Sequence, residues 1–149
     1  MRVRDLLSKK PSDVVTIGPH DAITSGAERL IAYGIGALPV VDAAGSLSGL
    51  LSERDIAGAV GRSVQNLPSM TVEQGMRRPA PVCAADDGLH DVMVRMTRER
   101  LRHLVVLENG RVAGVLSVGD LVKHRLDELE TEAGVLRDYV AAHRAATYT

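Results

Sequence analysis

The sequence predicts an α/β protein built from two copies of one strand–helix–hairpin–helix unit. Residues 49–56 return 65 positions later as residues 114–121. Each copy holds a short apolar strand, a serine, and an aspartate three residues further on, where a helix is expected to begin. One unit alone would expose an apolar sheet face, so we expect the two units to pack sheet to sheet about a pseudo-two-fold axis.

Each unit opens with a short strand and an amphipathic helix. Residues 16–21 match residues 82–87 at an offset of 66 positions. Apolar residues then recur every three or four positions, which gives a helix one apolar face. These residues are Ile23, Ala27, Leu30 and Ile31 in the first unit and Leu89, Met93 and Met96 in the second.

Two strands joined by a tight turn come next in both units. An Asn-Gly pair, here Asn109-Gly110, is a strong signal for a two-residue hairpin turn. The offset falls from 66 before this turn to 65 after it, which indicates a deletion in the loop, where deletions are tolerated. The predicted strands are 37–41 and 47–51 around Gly45, and 103–107 and 112–116 around Asn109-Gly110.

The remaining segments suggest the domain boundaries. A capping box at 71–74 predicts a short helix, and the matching segment 3–7 is expected to be helical as well. A polar stretch that begins near residue 61 indicates the connection between the units. We predict a first domain at 1–63, a linker at 64–70, a second domain at 71–126, and a C-terminal helical extension and tail at 127–149.

A heptad-like stripe continues the helical pattern after Asp120. Its residues alternate in spacings of three and four: Leu126, Leu129, Ala133, Leu136 and Val140. The stripe fits an amphipathic helix packed on its own domain and, equally well, a helix packed on a partner chain. Gly134 weakens the coiled-coil alternative, because glycine is a poor helix former. We expect fraying from about residue 144.

Composition excludes several classes of function. The 149 residues are 45% hydrophobic and contain no Trp or Phe, so the core must be aliphatic. A formal net charge of −1 gives no basic excess for nucleic acid. The single cysteine, Cys83, excludes an intrachain disulfide and fits a reducing cytoplasm. No apolar run predicts a membrane span, and the charged N-terminus does not predict a signal peptide.

Several segments carry a family resemblance. They are 36–42 and 50–55 in the first unit, and 102–106, 108–110 and 115–120 in the second. The chain resembles a tandem pair of cystathionine-β-synthase-type (CBS) domains, a Bateman module, over roughly residues 3–125. This likeness implies two βαββα units with clefts for adenine nucleotides: AMP, ADP, ATP, NAD(H) or S-adenosylmethionine. It also implies a non-catalytic sensor that is commonly a homodimer, here as a standalone module that acts on an unidentified regulated protein.

The resemblance gives candidate ligand contacts in the first cleft. Asp55 would accept both ribose hydroxyls, since a carboxylate can take two such hydrogen bonds. Ser52 and Arg54, at the start of a predicted helix, would hold phosphate. Thr16 would add a hydroxyl. The adenine slot would be formed by Gly36, Ala37, Leu38 and Pro39, with Pro39 at a sheet edge because it cannot donate to a ladder.

The second cleft keeps less of this chemistry. Ser117 and Asp120 match the first pair, but Gly119 stands at the position of Arg54 and Val105 at that of Pro39. Val82 replaces Thr16 and Leu104 matches Leu38. Arg102 and His103 would reach phosphate from the other direction, unless they only form a solvated strand start. We therefore expect the first cleft to bind better.

Simpler interpretations stand beside these. A serine followed three residues later by an acid is close to a capping box, which many helices carry without any ligand. Arg77 and Arg78 are either a solvated basic pair or contacts for a larger ligand. Cys83 matches Ile17 in an apolar strand position, which favours a core role. The five histidines are scattered and predict no metal site.

Three function classes follow: a nucleotide sensor, a dimerisation or docking scaffold with empty clefts, and an enzyme. Gly34 and Gly36 lack the third glycine of a dinucleotide fingerprint, and no phosphate-binding P-loop occurs. No nucleophile with its base is visible. We therefore expect a non-catalytic sensor in which ligand shifts the population of two arrangements of the halves or of the 121–142 helix.

Overall fold

The second repeat folds into the predicted order of strand, helix, hairpin and helix, whereas the first has an isolated β-bridge at Ile17 where its opening strand was predicted. The computed structural model describes residues 1–11 and 13–147, so the end of the predicted 127–149 tail lies outside the described residues. The chain divides into two compact units, residues 1–117 and residues 118–149. The elements are α1 Val3–Leu7, α2 Ile23–Tyr33, β1 Ala37–Val41, β2 Leu47–Ser52, α3 Glu53–Arg62, a 3₁₀ turn Leu67–Ser69, α4 Val72–Gly75, β3 Val82–Ala84, α5 Leu89–Glu99, β4 His103–Glu108, β5 Arg111–Ser117 and α6 Val118–Thr147.

The two predicted hairpins form two small sheets. β1 pairs antiparallel with β2, and Ile17 adds a parallel bridge to Val40 on the other side of β1. The second sheet has the order β3-β4-β5, with β3 parallel and β5 antiparallel to β4. Asn109 and Gly110 both have positive φ, at 53° and 76°, which a tight two-residue hairpin turn requires. The turn prediction is confirmed.

The core divides along the two faces of the first sheet. Leu38, Val40 and Leu51 pack with the apolar residues of α2 and α3. Ala37 and Leu50 point the other way and share a cluster with Val105 of the second sheet. Side chains of a strand alternate between faces, so one face meets helices and the other meets the opposite sheet. This confirms the predicted sheet-to-sheet packing.

Each of the short helices α1 and α4 is hydrogen-bonded to the other repeat. At the start of α1, Val3 N–H donates to the Asp87 carbonyl at 3.0 Å. At the start of α4, Val72 N–H donates to the Asp21 carbonyl at 2.9 Å. Asp21 and Asp87 are equivalent positions at the offset of 66, so the crossing obeys the pseudo-two-fold symmetry. Because both helices cross, the two repeats are interlocked.

Ion pairs add to the anchoring of α1. Arg4 pairs with Asp86 and, at 3.0 Å, with Glu108, and Arg2 pairs with Asp86 at 3.2 Å. The hydrogen bond from the Arg4 guanidinium, with its positive charge, lowers the pKa of Asp86 below its ordinary value. All four side chains are exposed, so solvent screens these contacts and they contribute little to stability.

Cys83 is part of the core, as its apolar position predicted. It lies in β3 and is 5% exposed. Burial raises the pKa of its thiol from 9.0 to about 11, because the thiolate loses its hydration. Since the thiolate is the reactive form, Cys83 should react slowly with alkylating reagents in the folded protein.

We expect iodoacetamide to alkylate Cys83 far more slowly in the folded chain than in guanidinium-denatured chain. The rise in pKa from 9.0 to about 11 alone lowers the thiolate fraction near neutral pH about 100-fold. Mass spectrometry of timed aliquots measures both rates, and the denatured sample is the control for reagent quality. Similar rates in the two samples would contradict a buried thiol.

α6 is one continuous helix of 30 residues, about 45 Å long. It runs through the predicted boundary at 126/127 and continues to Thr147. Along the described residues no helix is both long enough and apolar enough to cross a membrane.

Candidate functional site

The first Ser-x-x-Asp element forms a complete capping box at the start of α3. Ser52 N–H donates to Asp55 Oδ2 at 2.8 Å, and the Ser52 hydroxyl donates to the same oxygen at 2.8 Å. In return Asp55 N–H donates to Ser52 Oγ at 3.3 Å. The capping interpretation of this motif is therefore correct, and any ligand contact must use what the cap leaves open.

The cap leaves three groups open at this end of the sheet. Both bonds to the Asp55 carboxylate use Oδ2, and within the described part of the chain none reaches Oδ1. Arg54 is exposed, and its guanidinium has no carboxylate partner among residues 1–11 and 13–147. Glu53 N–H is taken by the Gly36 carbonyl at 3.0 Å, which leaves Arg54 N–H as the open amide of the first helical turn.

Thr16 lies on the other side of β1, level with Pro39 through the Ile17–Val40 bridge. Its side chain is half-buried, and its hydroxyl has no hydrogen-bond partner in the part of the chain that the structure describes. Its carbonyl accepts a hydrogen bond from Arg29 Nη1 of α2. The main chain at Thr16 is thus held in place while its hydroxyl stays available.

The arginine that holds Thr16 has an equivalent that the sequence interpretation missed. Arg95 Nη1 of α5 donates to the carbonyl of Val82, as Arg29 does to that of Thr16. Arg29 and Arg95 are 66 positions apart, which is also the offset between Thr16 and Val82. That shared offset was a signal by which sequence comparison could have found the pair.

The residues of the predicted adenine slot are buried. Ala37, Leu38 and Pro39 all lie in the core, and Pro39 has less than 2% of its surface exposed. β1 is an edge strand of its two-stranded sheet, as the missing donor of Pro39 predicts, and the bridge from Ile17 lies along its outer side. There the Pro39 carbonyl accepts from Ile17 N–H at 3.1 Å. The side chains of this segment fill the core, whereas Gly36 before it is half-buried.

His103 lies close to both candidate sites. It starts β4 and is the ladder partner of Ser117 in β5, a residue of the second set. A Cβ atom placed on Gly36 would also lie 3.0 Å from His103 Nε2 and 3.9 Å from the Glu53 carboxyl carbon. Gly36, Glu53 and His103 are therefore close to one another, where the first hairpin, α3 and the second sheet come together.

The second set of candidate residues lies at equivalent positions of the second repeat. Val82 is half-buried in β3, Leu104 is buried in β4, and Arg102 is exposed just before β4. Ser117 is the last residue of β5, and Asp120 lies in the first turn of α6. Both polar residues make contacts of their own within the described chain.

The basic pair before Pro79 has a structural role. Arg78 pairs with Glu73 of α4 at 3.1 Å. Arg77 forms a backbone bridge with Leu50 of β2, with hydrogen bonds of 3.0 and 2.9 Å. Among the described residues, no group of three His, Cys, Asp or Glu side chains is placed to hold a metal ion.

Comparison with known proteins identifies the family. The model of the CBS domain matches twice, at residues 3–62 and 70–127. The chain belongs to the CBS domain family. The match confirms the resemblance seen in the sequence, and the two matched segments are the two repeats.

Solved CBS proteins share the whole arrangement of the repeats. The CBS-domain containing protein ATU1752 from Agrobacterium tumefaciens is 40% identical, with a TM-score of 0.78 over 84% of this chain and 99% of its own. The CBS domain pair of protein MJ0100, in complex with 5′-methylthioadenosine and S-adenosyl-L-methionine, is 28% identical, with a TM-score of 0.75 over 86% of this chain and 98% of that pair. These neighbours confirm the α/β fold of two CBS repeats.

An enzyme among the relatives matches only in part. L-aspartate semialdehyde sulfurtransferase of Methanocaldococcus jannaschii is 29% identical over 120 residues, which is 80% of this chain but 22% of that enzyme. The similarity is thus to a CBS segment of a much longer protein.

Proposed function

We propose that this CBS pair is a non-catalytic regulatory module that binds an adenosine-containing ligand: AMP, ADP, ATP, NAD(H) or S-adenosylmethionine. The observation that carries the proposal is the start of α3. There the half-buried Asp55 has an open carboxylate oxygen next to the unpaired, exposed Arg54. The adenosyl ligands of the MJ0100 pair, whose fold this chain shares, support the ligand class.

The ligand would use each open group for a different part of its structure. Asp55 Oδ1 accepts from a ribose hydroxyl, which is a charge-assisted hydrogen bond. Arg54 and its open N–H take phosphate, which the positive end of the α3 dipole also favours. The Thr16 hydroxyl contacts the ligand from the other side of β1. The base enters beside Gly36, where His103 from the second repeat is the nearest side chain.

A scaffold without ligand is the second candidate. The observation that favours it is that Ser52 and Asp55 already satisfy each other in the capping box. In this case the CBS pair would serve only to dimerise or to dock an unidentified partner protein. We place it second because capping explains neither the unpaired Arg54 nor the open Thr16 hydroxyl.

A thermal-shift screen separates the two candidates. AMP, ADP, ATP, NADH and S-adenosylmethionine are each added over a concentration series. A ligand that binds only the folded state stabilises it by about 2.7 kcal/mol at 100 times its dissociation constant, so the melting temperature must rise. GMP and free ribose are the controls for base and phosphate recognition. No shift with any adenosyl compound at millimolar concentration would favour the scaffold.

We expect the two clefts to bind unequally. Asp55→Ala should reduce AMP affinity more than Asp120→Ala, because the first cleft has Arg54 and Thr16 while the second has Gly119 and Val82 at those positions. Titration calorimetry gives both affinities and both stoichiometries. Equal losses from the two changes would contradict the asymmetry.

The regulatory step would be a population shift. A ligand that binds one arrangement of the repeats better than another changes their balance by its differential affinity. Small-angle scattering with and without saturating ligand tests for such a change, and identical profiles would count against it. The domain boundaries 1–63 and 71–126, a cytoplasmic location and a homodimer belong to this proposal.

A further inference from the structure

One face of α6 carries a regular apolar stripe. We call Leu126, Leu129, Ala133, Leu136 and Val140 the α6 stripe. Its four larger side chains are between 40% and 63% exposed. On α6 the buried side chains Leu121 and His124 lie on the opposite side of the helix. Helices of soluble proteins normally cover such a stripe, so it needs an occupant.

The spacing of the stripe is that of a two-helix seam. The steps are three, four, three and four residues, which are the a and d positions of successive heptads, beginning with Leu126 at a. Gly134, which disfavours a coiled coil because glycine is a poor helix former, occupies a b position outside the seam. A Cβ atom there would meet nothing within 4 Å. Gly134 therefore weakens the helix but not the contact surface.

Charges beside the stripe select the occupant. The charged g and e positions along the stripe are Arg125, Glu130, Glu132 and Arg137, and the remaining g position is Tyr139. In a parallel pair of identical helices, each g residue faces the next e residue of the partner. Arg125 would then face Glu130, and Glu132 would face Arg137, so all four contacts of a dimer are between opposite charges. Another copy of α6 thus complements this surface.

The partners of these charges within one chain do not prevent the pairing. Arg125 also contacts Glu128 at 2.9 Å, but both side chains are exposed, so that contact can be exchanged at little cost. Glu130, Glu132 and Arg137 are exposed and have no ion pair within the described residues. The charges needed for a partner helix are therefore available.

We propose that the α6 stripe pairs with the α6 stripe of a second copy of this chain in a parallel two-helix seam. This deepens the homodimer part of the proposed function and does not depend on ligand binding. The seam from Leu126 to Val140 is about 21 Å long, so it is short and its middle layer holds the small Ala133. The pairing should be reversible and strongly dependent on the charges.

Charge exchange tests the pairing. Glu132→Lys places a lysine opposite Arg137 on both sides of the dimer, and sedimentation equilibrium should show a dissociation constant raised roughly tenfold. The double variant Glu132→Lys/Arg137→Glu restores opposite charges and should recover the original value. Asp138→Lys makes the same charge change at an f position, away from the seam, and should have little effect. Circular dichroism of each variant checks that the helix is retained.

Cysteine pairs test the orientation. Leu129→Cys and Val140→Cys, made separately, should each form a homodimeric disulfide, because a parallel seam places each residue beside its own copy. The unchanged chain, whose Cys83 is buried, is the control. A disulfide only in the mixture of the two variants would mean antiparallel helices and overturn the proposal. A chain that is monomeric at all concentrations, or a dimer indifferent to Glu132→Lys, would overturn it as well.

Titration calorimetry of the same charge variants with AMP keeps the two proposals apart. Loss of dimer with retained AMP binding supports the seam and the ligand site independently. If Glu132→Lys remains a dimer but no longer binds AMP, the seam proposal is overturned, because the substitution then affects ligand binding and not the dimer.

Discussion

Gly49→Ala is expected to lower the free energy of unfolding by about 2–3 kcal/mol, because a methyl group does not fit there. A Cβ atom on Gly49 would lie 2.6 Å from the Arg77 carbonyl oxygen and 2.7 Å from Met76 Sδ. The Arg77 backbone cannot move away easily, since two hydrogen bonds tie it to Leu50, the next residue of β2. Urea denaturation followed by circular dichroism measures the loss.

Gly114→Ala is the matched control within the same chain. Gly114 is the equivalent of Gly49 at the offset of 65, but its Cβ atom would meet the end of the Leu7 side chain at 3.1 Å. A flexible side chain can shift by a few tenths of an ångström, and alanine is easier to order in a strand than glycine by about 0.5–1 kcal/mol. We expect a change within about 1 kcal/mol. Equal losses at the two positions would contradict the backbone collision.

Local signals were sufficient to predict the helices and the hairpins of the fold, but not that the opening segment of the first repeat forms only a bridge at Ile17. The Asn109-Gly110 turn, the capping box before α4 and the three- and four-residue spacings in α2 and α5 each depend on neighbours in sequence. Interactions of this kind have the same geometry wherever the chain is placed. The repeat then supplied the pairing of the two sheets, since neither unit could bury its apolar face alone.

The crossing of the short helices could not be predicted in this way. It depends on hydrogen bonds such as Val3 to Asp87, which join residues far apart in sequence through backbone groups that every residue has. The need for glycine at position 49 could not be predicted either. The atom that a Cβ there would meet is the main-chain oxygen of Arg77, which is distant in sequence.

The sequence predicted which residues belong to the candidate site better than it predicted where those residues lie in space. Ser52 and Asp55 were recognised with both of their possible roles, and the structure confirms the cap, which is a local interaction. His103 was expected in the second cleft, and it is the ladder partner of Ser117, a residue of that cleft. Its place beside Gly36 and Glu53 results from the packing of one sheet on the other, which residue spacing does not specify.

Asp55→Asn should separate the two roles of this aspartate. An asparagine side-chain oxygen can still accept the bond from Ser52 N–H, now 2.8 Å from Asp55 Oδ2, so we expect a stability loss of at most about 1 kcal/mol. Ligand binding should suffer more, because a ribose hydroxyl would lose a charged acceptor. Hydrogen bonds to charged groups contribute about 1.5–3 kcal/mol, so affinity for AMP should fall roughly tenfold to a hundredfold.

Asp87→Asn provides the comparison for this change. Asp87 Oδ2 accepts from Ala84 N–H at 2.9 Å, which is also a local bond across three residues, but Asp87 is no part of the proposed site. It should show a similar small loss of stability and unchanged AMP affinity. If Asp55→Asn lowers stability as expected and leaves AMP affinity unchanged, Asp55 is only a helix cap. The open Oδ1 then has no function in binding. That result would favour the scaffold function over ligand binding, because the ribose contact is the one that an adenosyl ligand could least easily replace.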